Sequence, residues 1–66
     1  MLPTTEVERI VSCIIAETAE RAESEGIEDA YELALEAWTM DLSDEGFAAV
    51  LSRASRARWA RWPEAA

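Results

Sequence analysis

Apolar residues recur along this chain at three- and four-residue steps, the spacing that brings side chains onto one face of a helix. Val7, Ile10, Val11, Ile14 and Thr18 form the first such stripe. Thr5-Glu6-Val7-Glu8 matches a capping box, in which a Thr hydroxyl and a Glu three residues on satisfy each other's backbone amides. With Pro3 disfavouring helix just before it, helix one is expected to begin about Thr5 and to stop at Gly26, with Ile27 as the apolar residue that often follows such a stop. At about 100° per residue, centred on Ile14, apolar side chains run from Cys13 on one flank to Ile15 on the other. An arc that wide calls for two contacts. Either helix three and a second copy of the chain share it, with Cys13, Ile14, Ile15 and Leu35 as the dimerisation residues, or helices two and three cover it unaided.

A second stripe, Ile27, Ala30, Tyr31, Ala34 and Trp38, predicts a helix over about 27–41, with Leu33 and Leu35 widening its apolar arc. A third helix is expected over about 43–62, where Phe47, Leu51, Ala54, Arg58 and Trp62 share a face that only Arg58 interrupts. Ser43 or Asp41 is placed to cap it. Its acids come first and its arginines last, in the order the helix macrodipole favours. Gly46 lies in its first turn, where another backbone could approach closely; Pro63 ends it, and Glu64 to Ala66 are expected to fray. The pattern therefore predicts an all-α domain, a small bundle of two to three amphipathic helices completed by homodimerisation.

Length sharpens the need for efficient packing. With 66 residues the chain forms one domain, and cores of this size rarely supply more than roughly 3–5 kcal/mol without a staple. One cysteine and no histidine leave neither an intramolecular disulfide nor a Cys/His zinc site within reach. Close helix packing or self-association remains. The lone cysteine and the lack of a signal-peptide pattern point to the cytoplasm, and no apolar run approaches the ~20 residues of a membrane span. All six basic residues are arginine, a composition expected of a GC-rich bacterial genome or its phages and plasmids.

Charge divides the chain in two. Residues 1–45 hold thirteen acids against Arg9 and Arg21, a net of −11, whereas residues 46–66 hold four arginines and Glu64, a net of +3. Either the acidic helices partly neutralise the basic one, or each patch meets a partner. On helix two Glu28, Glu32 and Glu36 stand at successive i, i+4 positions, where like charges oppose the helix by about 0.2–0.5 kcal/mol per pair. Such a ridge either keeps the protein solvated or binds an arginine- or lysine-rich protein. Arg58, Trp59, Arg61 and Trp62 form a second candidate surface, open to three readings: a packed helix end with cation–π contacts, a nucleic-acid patch or a membrane-surface patch. A net charge of −8 disfavours nucleic acid, whose affinity comes largely from neutralising phosphates. As a helix-turn-helix, helix three would present Asp44 and Glu45 to the DNA at its reading end, which would repel the backbone.

Catalysis fails on inventory. The chain has no histidine, no lysine and no glycine-rich phosphate loop, and no basic residue adjoins Cys13 to activate it. No calcium loop is present either. No enzyme activity, cofactor or metal is expected. What remains is a small acidic helical interaction module, a phage- or plasmid-type regulator or inhibitor of a host protein, with Glu28, Glu32, Glu36, Arg58, Trp59 and Trp62 as its protein-binding residues. The alternatives are a nucleic-acid mimic and a structural dimerisation subunit.

Overall fold

A computed structural model describes residues 2–63 of the chain; the fraying expected of Glu64 to Ala66 lies outside the described residues. Three helices account for most of it: α1 (Thr4–Glu25), α2 (Ile27–Thr39) and α3 (Asp44–Arg61). The 22 residues of α1, at about 1.5 Å each, span about 33 Å, close to the 34 Å of the molecule's longest dimension. It is the spine of the bundle. α2 packs against it most broadly, α3 packs against it as well, and α2 and α3 meet each other least.

The helix ends follow from local chemistry, with one departure from the expected signals. α1 starts at Thr4 with Pro3 as its N-cap, and the Pro3 carbonyl accepts from the Val7 amide at 3.1 Å. No side chain caps it, so the Thr5–Glu8 capping box does not form. Starting one residue early puts Thr5 inside the helix, and Glu8 turns instead to Arg53 of α3, 3.6 Å away. Gly26 then links α1 to α2 alone. Its φ of 85° and ψ of 155° form a conformation essentially restricted to glycine, and it serves both helices, donating to Ala22 and accepting from Ala30. The break at Gly26 is complete. α2 ends at Thr39 rather than about 41, and Ser43 caps α3, its hydroxyl accepting from the Gly46 amide at 3.2 Å. α3 closes at Arg61, two residues before Pro63.

Packing pairs bulky residues on α1 with small ones on the other two helices. Val7, Ile10 and Ile14 meet Ala34, Val50 and Ala54 in one core, flanked by Leu2, Val11, Tyr31, Leu35 and Leu42. Thr18 and Thr39 are buried too, each satisfied by a carbonyl one turn back on its own helix. The α1 stripe is the predicted one, and its wide arc is shared by two helices of the same chain. The α3 face is rotated from expectation: Gly46, Val50, Ala54 and Arg58 point inward, while Phe47 is exposed and Leu51 and Trp62 are half-buried. Small residues at four-residue steps let α3 approach closely, which a phenylalanine in that row would prevent. At Gly46 the approach is tight, since a Cβ there would lie 3.3 Å from the Leu2 side chain. Trp38, predicted to lie on the α2 stripe, sits at its edge and donates from its indole nitrogen to Glu17.

Candidate docking surface

Most acids of α1 are paired among the described residues, Glu20 and Glu23 excepted, whereas those of α2 are not. On α1, Arg9 pairs with Glu6, Arg21 bridges Glu17 and Glu25 at 3.3 and 3.2 Å, and Glu8 meets Arg53. The hydrogen bond from Arg9, reinforced by its charge, holds the Glu6 carboxyl below the usual carboxylate range. On α2, Glu28, Asp29, Glu32 and Glu36 form no ion pair among the described residues. Glu28 and Asp29 gain from the helix N-terminus, but Glu36 stands near the C-terminal end, where the macrodipole disfavours an anion. Among the described residues, the ion pair that joins the acidic helices to the basic one is Glu8–Arg53.

Along α2 runs an open depression of about 1020 Å³. Asp29, Glu32 and Glu36 line it together with Leu33, Met40 and Phe47, and Glu25 closes it at the end of α1. Its apolar members are large and accessible: Leu33 is 46% exposed and Met40 76%. Apolar side chains edged by unpaired carboxylates make a surface that both desolvation and charge can recognise.

Beside it, where α2 passes α3, a smaller cleft of about 390 Å³ is lined by Glu28, Tyr31, Glu32, Ser55, Arg58 and Trp59. Tyr31 and Ser55 hold its floor together, their hydroxyls 3.4 Å apart. Glu32 belongs to both hollows. The acidic ridge and the Arg/Trp end, separate candidates in the sequence, thus meet at this cleft. Sequence spacing placed each on its own helix and gave no register between the two.

Two of the expected site residues are displaced from the surface. Arg58 is only 5% exposed. Its guanidinium lies 4.0 Å from the Trp59 ring and donates to the Trp62 carbonyl, so it fastens the end of α3 instead of facing a partner. The aliphatic stem supplies the packing that lets an arginine take an inward position. Trp59 remains 51% exposed and Trp62 is half-buried, with Arg61 5.0 Å from its ring. Of the dimerisation set, Ile14 is wholly buried in the core of its own chain, so it offers nothing to a second copy. Cys13 and Ile15 are half-buried, flanking Ile14 on either side, and Leu35 packs on the core while lining the depression. These four residues do not form one exposed seam. Leu33, Met40 and Phe47 are the surface residues that sequence reasoning missed; an apolar side chain next to a glutamate ridge was the available signal.

Among the described residues, no group of three or more His, Cys, Asp or Glu side chains is placed to hold a metal ion, and no helix is long and apolar enough to cross a membrane. Comparison of the chain with known protein families, curated proteins and solved structures finds no match, so its function has to be argued from this surface.

Proposed function

We propose that this protein is a protein-binding module, acting as a regulator or inhibitor, that receives a basic amphipathic helix of its partner in the depression along α2. The observation that carries the reading is the intermixing of exposed Leu33, Met40 and Phe47 with unpaired Asp29, Glu32 and Glu36. A helix laid there buries its apolar face on the first group and sets lysines or arginines against the second. Methionine suits such a site because its flexible thioether adapts to varied side chains. Nucleic-acid mimicry would use the carboxylates alone and has no use for the apolar residues between them. The role is one of binding, without catalysis.

A fluorescein-labelled amphipathic peptide of leucine, lysine and arginine, followed by anisotropy, tests this directly. Saturable binding is expected, weakened at least about tenfold, or 1.4 kcal/mol, by Leu33→Asp. Plain attraction between a cationic peptide and an acidic protein predicts the reverse, because Leu33→Asp adds a negative charge. Tighter or unchanged binding by that variant would remove the depression from the argument.

A further inference from the structure

The cations that fit the α2 depression are present on the protein's own α3. Arg56 forms no ion pair with the described residues, and one turn away Trp59 leaves half of its surface exposed. On the helix, Arg53, Arg56 and Trp59 lie away from the inward row of Gly46, Val50 and Ala54, so together they form a basic, aromatic outer face. Within one chain Trp59 borders Glu28 and Glu32 across the smaller cleft, but neither Arg53 nor Arg56 pairs with an acid of α2; among the described residues the cross-helix ion pair of this face is Arg53 with Glu8 of α1. The molecule therefore carries at the same time an acidic groove without cations and, at Arg56, a cation without an ion-pair partner among the described residues.

We infer that, in the absence of another partner, the depression along α2 of one copy is occupied by the outer face of α3 from a second copy, with Arg56 set against Glu32 and Glu36 and Trp59 against the apolar residues between them. This rests on the reading of that depression as a helix-docking site and adds its regulation: self-association masks the site, and a partner helix competes for it. The geometry of the bundle suits the arrangement, since α2 and α3 pack mainly on α1 and keep Glu32, Leu33 and Glu36 of the one and Arg56 and Trp59 of the other exposed. A two-fold axis across these exposed residues lets both α3-to-α2 contacts form at once, and a closed pair needs no third copy. A standard interface removes about 800 Å² from each partner, close to a fifth of the 4424 Å² this chain exposes, which two such contacts can supply together.

Sedimentation of the purified protein gives the test. A species heavier than the 7.3 kDa chain is expected, losing mass as salt rises from about 0.01 M to about 1 M, where the screening length falls from ~30 Å to ~3 Å. Arg56→Glu should lower self-affinity at least about tenfold, as should Glu32→Arg combined with Glu36→Arg. An equimolar mixture of the two variants should recover association, because the swapped charges again oppose each other. A monomer at about 1 mM, an Arg56→Glu variant that associates like the parent, or a mixture that stays monomeric overturns the inference. The labelled peptide separates this from the parent reading: a parent protein that stays monomeric yet binds the peptide loses the self-association and keeps the docking site. Loss of peptide binding in the parent protein would remove both.

Discussion

Replacing Ile14 by alanine tests the architecture at its centre. Ile14 is 0% exposed and is among the largest fully buried side chains. The change deletes three carbons, a transfer loss of about 2.4 kcal/mol at ~0.8 kcal/mol per buried methylene. The cavity left behind brings the total to about 3–4 kcal/mol, inside the range of roughly 2–5 kcal/mol for Ile→Ala in cores. A chain of this size has about 4 kcal/mol to lose. The variant should therefore sit at the edge of unfolding. With an m-value near 1 kcal/mol/M in urea, the midpoint followed by helical circular dichroism should fall from about 4 M to about 1 M or below. A loss under about 1 kcal/mol would mean that Ile14 does not occupy a closed core. A variant that keeps its helicity and midpoint but loses only self-association would restore Ile14 to a subunit seam and refute the packing described here.

Other perturbations separate stability from binding. Glu32→Lys converts two repulsive i, i+4 pairs, with Glu28 and Glu36, into attractive ones, so it should raise stability by about 1 kcal/mol in urea melts while abolishing binding of the cationic peptide. Gly26→Ala should cost about 1–3 kcal/mol, since the φ of 85° and ψ of 155° strain any residue with a Cβ although nothing lies within 4 Å of it; an unchanged melting curve would show that the connector relaxes freely. The Glu6 carboxyl, followed by NMR, should titrate below its ordinary value of 4.5, and Arg9→Gln should move it back up. Because its folded pKa is the lower one, the Glu6–Arg9 contribution is present above about pH 4.5 and fades as pH falls through the folded value; the pair is exposed, so the stability change is small.

Sequence and tertiary structure divided the work along physical lines. Periodicity alone pointed to a bundle of two to three helices and to the α1 stripe of Val7, Ile10, Val11, Ile14 and Thr18, of which all but the half-buried Val11 are buried, because the burial of a bulky apolar row is a local, repeating signal. Gly26 and Ser43 marked their boundaries correctly, since each acts through its own backbone and near neighbours. The Thr5 capping box failed for the same reason that it was tempting: the motif was present, but Pro3 had already begun the helix. Packing decided the rest. Which row of α3 turns inward depends on how closely α1 can be approached, and a row of Gly46, Val50 and Ala54 prevails there over the more hydrophobic Phe47. Burial of Arg58, exposure of Leu33 and Met40, and the meeting of Glu28 and Glu32 with Trp59 all depend on the relative rotation of two helices that touch only lightly. A single-helix pattern carries no information about that rotation. The acidity of α2 was legible in the sequence, but the groove it borders exists only where the helices are assembled.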